Sequence, residues 1–193
     1  MAATTQPSLF GSPHPEGFAY RPDFLTPDQE AALVERLAPL PFQPFDFHGR
    51  TAKRYVVGFG WRYDYDDRKV KAAEPVPDFL LPLRNAAADF AKVASEDFIQ
   101  VLINRYAPGA GVGWHRDKPA FERVCAVSLA APCQLQFRRR REDDSFERLR
   151  LEVEARSAYL MTGPARWVWE HRVPEVERLR YSITFRTFAT KTS

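Results

Sequence analysis

Two histidines and an aspartate have the types and spacing to bind a metal together. Gly113-Trp114-His115-Arg116-Asp117 sets an imidazole and a carboxylate two residues apart. In an extended segment such residues point to the same side, so a ring nitrogen and a carboxylate oxygen can converge on one cation. A third ligand from elsewhere would complete two histidines and one carboxylate. His171, at the end of the aromatic run Trp167-Val168-Trp169, is the candidate. Such a triad leaves adjacent coordination positions open and favours non-haem Fe(II) oxygen chemistry. A His-x-Asp pair alone is a weak signal, most often a polar pair at a turn. The other two histidines, His14 and His48, fall in a loose N-terminal stretch and an early loop.

Two arginines strengthen the case. Arg180 and Arg186 bracket RYSITFR, a strand-like run in which even-numbered residues share one face. A dicarboxylate cosubstrate would account for them. 2-Oxoglutarate chelates Fe(II) through its 2-oxo group and one carboxylate, and the other carboxylate needs a cationic fork. Arginine supplies that fork better than lysine. The plainer alternative is a solvent-facing edge strand with Ile183 and Phe185 turned inward.

These groups need a rigid framework, and the rest of the chain reads as one. At 193 residues it suits a single domain able to bury a core without disulfide staples. The plentiful Phe (15) and Pro (16) favour short strands and rigid turns over a helical bundle. Residues 1–17, rich in Pro, Ser, Gly and Thr, read as a flexible arm, and 18–193 as one domain. Thr26-Pro27-Asp28-Gln29-Glu30 predicts a helix start, with Leu33, Val34 and Leu37 on one face and Pro39 and Pro41 ending it. Residues 51–65 read as aromatic strand and 66–79 as loop. Residues 79–94 predict a second helix with Leu83, Ala86, Ala87, Phe90 and Ala91 on one side. From about residue 98, strand-sized runs follow one another from FIQVLINRYA to RLRYSITFRTF. That order predicts an α+β domain, mainly β, a sandwich or barrel with helices packed on one side. Residues 18–97 would hold the helices and the aromatic segment, and 98–188 the metal-binding core.

Composition sets the remaining bounds. A net charge of +3 is compatible with a polyanionic partner without requiring one. Cys125 and Cys133 form no Cys-x-x-Cys pair and read as packed thiols in a reducing cytoplasm. No apolar run is long enough for a membrane span, and the N-terminus lacks the pattern of an export signal. A cytoplasmic monomer is the expectation.

Taken in order, Asn104-Arg105-Tyr106-Ala107-Pro108-Gly109-Ala110, His115-x-Asp117-Lys118, His171 and Arg180-Tyr181-Ser182-Ile183-Thr184-Phe185-Arg186 resemble the AlkB-type Fe(II)/2-oxoglutarate dioxygenases. The likeness is strong over about residues 99–188 and looser before, where Tyr63, Tyr65 and Pro75-x-Pro77-x-x-Leu80 agree. The resemblance implies a double-stranded β-helix (jelly-roll) core. It implies Fe(II) at His115, Asp117 and His171. It implies 2-oxoglutarate held by Asn104, Tyr106 and Arg180, with Arg180 on the distal carboxylate and Arg186 near the chelating one. Ser182 stands where the best-known members have Asn; serine still donates a hydrogen bond but is shorter, so cosubstrate binding is expected with altered contacts. Pro119 stands where some base-repairing members have an acidic residue, and proline offers no side-chain acceptor to a base.

The chemistry implied uses O2 and 2-oxoglutarate to hydroxylate a substrate C–H bond. If the carbon is an N-methyl, the product loses formaldehyde. The segment from Lys53 to Tyr65 interleaves cations with rings, so Lys53, Arg54, Tyr55, Trp61, Tyr63 and Tyr65, with Lys118, are the candidate substrate contacts. Part of those rings should be core instead. Gly58 and Gly60 make a bulge plausible that would split them between core and substrate. Arg138-Arg139-Arg140-Arg141 before Glu142-Asp143-Asp144 reads as a solvated hairpin tip with its own counter-charges. The expected substrate is an N-alkylated base in DNA or RNA, the alternative being a protein side chain, lipid or small metabolite.

Overall fold

Neighbouring residues of one strand meet two different environments, and that alternation organises the fold. The structure, a computed structural model, describes residues 14–47, 50–64 and 69–189, without the side chains of 46, 47, 50–52, 62–64, 69 and 70. The strands are β1 (Phe18–Arg21), β2 (Gln43–Phe47), β3 (Arg50–Asp64), β4 (Lys69–Ala72), β5 (Gln100–Tyr106), β6 (Val112–His115), β7 (Phe121–Leu129), β8 (Cys133–Arg140), β9 (Phe146–Val153), β10 (Ala158–Met161), β11 (Glu170–Val173) and β12 (Arg180–Phe188). The α-helices are α1 (Pro27–Leu37), α2 (Leu81–Ala91) and the single turn α3 (Gly163–Trp167). The large sheet runs β1-β10-β7-β12-β5-β3-β2, with β4 added on β3, and the small sheet runs β6-β11-β8-β9.

Odd-numbered residues of the central strands, such as Val101, Ile103, Cys125, Val127, Ile183 and Phe185, are fully buried against Leu37, Leu80, Leu83, Ala87 and Ala91 from the helical side. The opposite face of the large sheet meets the small sheet around Leu135, Phe137, Val153, Tyr159 and Trp169. Two cores thus share one sheet, a jelly roll with helices on one face. Both cysteines are buried thiols, and burial pushes Cys125 up to about 12, which makes it inert.

Both expected helices form. Thr26 caps α1 through a reciprocal box with Gln29, while Glu30 turns away to the backbone N–H of Ala130 (2.8 Å) and to Arg156 (3.3 Å). Pro82 lies in the first turn of α2, which stops at Lys92 in the left-handed conformation. Other expectations need correction. Residues 66–79 contain a strand, β4, and the segment before residue 98 contributes β1, β2 and β3 to the large sheet itself. The run WVWEHRV is extended only from Glu170 to Val173, because Gly163-Pro164 first starts a helical turn. Residues 1–13, His48 and Tyr65 lie outside the described residues, as does the side chain of Tyr63.

Candidate active site

Register builds the site. Across β3, β5 and β12 the even-numbered residues align in rows: Arg54, Tyr106 and Arg180; Val56, Asn104 and Ser182; Gly58, Leu102 and Thr184; Gly60, Gln100 and Arg186. These rows face the small sheet. There His115 of β6 pairs directly with His171 of β11, so both imidazoles project inward at one level. Their ring centroids are 4.3 Å apart. Asp117 lies in the loop after β6, with Oδ2 3.9 Å from Nε2 of His171.

Each member of this cluster is held from behind. Nδ1 of His115 donates to the carbonyl oxygen of Gly113 (2.9 Å), and a carbonyl only accepts, so Nε2 keeps its lone pair. Arg186 donates to Oδ1 of Asp117 (2.8 Å) and to Oε1 of Gln100 (3.0 Å). Arg166 donates to the backbone oxygens of Lys118 and Phe121, clamping the loop that carries Asp117. Burial would raise the Asp117 carboxyl, but Arg186 and the two histidines hold it far below the ordinary carboxylate range. Burial, reinforced by His115, pushes His171 down to about 3. Burial also lowers His115. At neutral pH the cluster is therefore two neutral imidazoles and one ionised carboxylate. Among the described residues no three such groups are pre-set around a single point, and Asp117 divides its oxygens, Oδ1 to Arg186 and Oδ2 toward His171.

Two spaces meet at these residues. An inner cavity of about 50 Å3 is lined by Asn104, Tyr106, Tyr159, Ser182 and Thr184 as it approaches His115, Asp117 and His171. An outer cleft of about 870 Å3 opens beside it, walled by Phe45, Trp61, Phe121, Arg116 and Lys118. Arg54, Leu102, His115, Asp117 and Arg186 border both. Buried nitrogens at these spaces point to anionic company: among the described residues Nε of Arg54 and Nε of Arg186 have no hydrogen-bond partner, nor does Nη1 of Arg180 behind them. Arg180, 1% exposed, donates through Nε to Ser128 (3.1 Å) and lies against the Tyr106 ring at 5.1 Å.

The structure thus brings together His115, Asp117, His171, Asn104, Tyr106, Ser182, Arg186 and Arg54, with Arg180 sealed behind Tyr106. Gly60 splits the aromatic segment. At φ +78° it is where β3 leaves β5 for β4, so Phe59 is buried on the helix side while Trp61 lines the cleft. Two expected substrate contacts lie away from the lining of both spaces. Tyr55 has odd parity and packs under Arg105 (4.9 Å) on the helix-side face, and Lys53 is exposed beside Gly109. Lys118 lines the cleft. The hairpin arginines do carry their own counter-charges, although Arg138 uses Glu170 (2.6 Å) and Arg139 uses Glu147 (2.8 Å), with only Arg140 on Asp144 (3.0 Å). Sequence reading missed Gln100 and Arg166, since neither sits in a motif and each acts through a contact far along the chain.

Comparison with known proteins agrees with this architecture. The family profile described as the 2OG-Fe(II) oxygenase superfamily matches residues 17–186. The "Alkylated DNA repair protein ALKBH8 homolog" of Arabidopsis thaliana is 29% identical over 181 residues, which cover 82% of this chain and 51% of that protein. The "Alpha-ketoglutarate-dependent dioxygenase AlkB" of Salmonella typhimurium is 32% identical over 151 residues, 68% of each chain. This chain therefore spans about half the length of the Arabidopsis relative and two thirds of the Salmonella one. The solved structure of OsALKBH1 superposes with a TM-score of 0.63 at 16% identity, covering 89% of this chain and 96% of that one. The profile spans every strand that borders the cleft, and the chain belongs to the 2OG-Fe(II) oxygenase superfamily as a dioxygenase of AlkB type that depends on Fe(II), 2-oxoglutarate and O2.

Proposed function

We propose that this enzyme oxidises N-alkyl groups on bases of DNA or RNA and releases the carbon as formaldehyde. The outer cleft carries the reading. It opens onto His115 and Asp117, with the Trp61 and Phe45 rings and the cations Arg54, Arg116 and Lys118 on its walls. A planar base can stack on such rings while phosphates meet the cations. The relative named for alkylated-DNA repair supports the same substrate class. The reading carries with it a role in nucleic-acid repair, for a monomer acting in the cytoplasm.

The residues present fit the family's cofactors. Fe(II) would be held by His115, Asp117 and His171, whose protonation states at pH 7 are those a divalent cation requires. 2-Oxoglutarate would take the inner cavity, where the nitrogens of Arg186 and Arg54 supply donors for carboxylates and Asn104, Tyr106 and Ser182 supply neutral ones, with the Arg180 guanidinium adding positive charge from behind Tyr106. When bound, these cofactors let one atom of O2 hydroxylate a substrate C–H bond while the other enters succinate as CO2 leaves. The chain's own share is placement. Arg186 orients Asp117, Gly113 fixes the His115 tautomer, and the cleft walls bring the N-alkyl carbon to the site.

Incubation with N-methylated single-stranded DNA, duplex DNA and tRNA, with mass-spectrometric detection, should release formaldehyde from at least one. If 2-oxoglutarate is consumed while none of the three is demethylated, the nucleic-acid reading fails. The substrate is then a protein side chain, lipid or metabolite, as the lack of an acceptor at Pro119 would suit.

A further inference from the structure

The outer face of the small sheet carries a strip of arginines that the reaction does not use. In one row across the sheet His115, His171, Phe137 and Leu149 point inward. The residues that alternate with them point outward: Trp114 on β6, Glu170 and Arg172 on β11, Arg138 and Arg140 on β8, Arg148 and Arg150 on β9. Arg138 is level with Arg148, and Gln136 joins Arg172 to Arg150.

Stacking holds several of these cations in place. The Trp114 indole carries the guanidinium of Arg138 at 4.5 Å and that of Arg172 at 4.7 Å. Phe146 takes Arg138 at 4.7 Å and Arg148 at 5.4 Å. A guanidinium laid on a ring loses less freedom when it then meets an anion, and its edge stays free for hydrogen bonds. The strands offer little compensating charge. Five arginines face outward against Glu152 and Glu170, and only Arg138 is paired with one of these (2.6 Å). Arg140 turns to Asp144 at the hairpin tip (3.0 Å). Arg148 and Arg150 are exposed, and among the described residues no acidic side chain pairs with either. A face designed only for solubility would intersperse both signs.

The strip begins at the active site. Trp114 is the chain neighbour of His115, and the loop that follows places Arg116 and Lys118 on the cleft wall. We infer that this strip is a docking track for the sugar–phosphate backbone of the strand flanking the base that enters the cleft. The inference rests on the nucleic-acid reading above. It assigns to the small sheet a share in affinity, independent of base identity, because phosphate contacts position a strand without reading it.

The test is binding of an unmodified fluorescent single-stranded 15-mer, followed by anisotropy as salt is raised, with thermal melts confirming that each variant folds. R148E/R150E should weaken affinity at about 100 mM salt by roughly tenfold and lower the slope of log K against log salt by about 1.4, two phosphate contacts' worth for a single strand. R148K/R150K should keep most of the slope. Consumption of 2-oxoglutarate without substrate should not change. R21E/R36E makes the same charge change on the helical side and should bind like wild type. Equal loss in both double variants would reduce the effect to net charge and overturn the track. So would wild-type binding by R148E/R150E. If the wild-type chain demethylates DNA or tRNA while R148E/R150E binds normally, the track alone fails. If wild type neither binds the 15-mer nor releases formaldehyde from any nucleic acid, both readings fail.

Discussion

Asp117 is a buried carboxylate kept ionised by Arg186, and that arrangement predicts a double penalty for removing it. Asp117→Ala should abolish Fe(II)-dependent succinate formation and binding of Mn(II) as a stand-in ion. It should also leave the Arg186 guanidinium, 8% exposed, without its acid and lower stability by about 3 kcal/mol. Calorimetric titration and denaturant unfolding read the two effects separately, and full metal affinity in the variant would remove Asp117 from the ligand set. The histidines predict the pH response of the metal-free protein. His171 has a folded-state pKa of about 3, against about 6.5 unfolded, so as pH falls the unfolded chain takes up the proton first. Stability should be flat in this group above about pH 6.5 and decline steadily below it. Asp117 is depressed too, but its unfolded value near 4 confines its contribution to lower pH, so the decline between about pH 4 and 6.5 belongs to the histidines. Melting temperature against pH should show this slope, and His171→Gln should reduce it to the share left by His115. These residues were legible in the sequence because their signals are local: an i, i+2 spacing and the even parity of Arg180 and Arg186. Gln100 and Arg166 were not, because a side chain that orients a ligand from across the fold leaves no periodic trace.

The long strands β5, β7, β8, β9 and β12 were legible because each carries enough alternation to declare its faces. The four-residue strands β1 and β4 were not, since they are extended only because β10 and β3 supply their hydrogen bonds. The helical turn α3 was hidden because it ends on the first residue of an aromatic run of high β propensity, which Gly163-Pro164 outweighs. Gly60 shows how one residue decides an element's use. Its φ is +78°, and a Cβ there would lie 2.2 Å from the carbonyl oxygen of Ile99. Its amide and carbonyl bond Glu74 and Ala73, so β3 turns from β5 to β4 at that point. Gly60→Ala should therefore cost at least about 2 kcal/mol through the left-handed conformation and the clash together. On the proposed nucleic-acid reading it should also raise KM for that substrate more than KM for 2-oxoglutarate, because Trp61 moves and the inner cavity does not. Equal changes in both constants would mean that the bend serves the whole sheet rather than the cleft.

Two cores flank one sheet in the whole molecule, and only one of them touches chemistry. Phe98 and Phe137 are both essentially unexposed. Phe98 packs on Phe185 (5.7 Å) in the helix-side core. Phe137 lies between the sheets, level with His171 in register and 6.3 Å from its ring. Truncating either to Ala leaves a cavity of the same chemistry, so each should lose about 3–5 kcal/mol of stability. Their functional consequences should differ. Phe98→Ala slackens the support of the large sheet from behind, yet the rows that face the cavity stay pinned by β5, β7 and β12 hydrogen bonding on both sides. The variant that still folds at low temperature should bind Mn(II) and 2-oxoglutarate like wild type. Phe137→Ala opens space beside a ligand whose ring must hold one orientation, and it gives water access to an imidazole kept neutral by burial. Metal affinity should fall by roughly the 10–100-fold seen when groups that orient a ligand are removed, and the His171 pKa should climb back toward its ordinary value. NMR titration of the imidazole, at a temperature where both variants are folded, separates this from loss of stability alone. If the two truncations weaken metal binding equally, the cores are mechanically one, and the division of labour between support and chemistry inferred from the shared sheet is wrong.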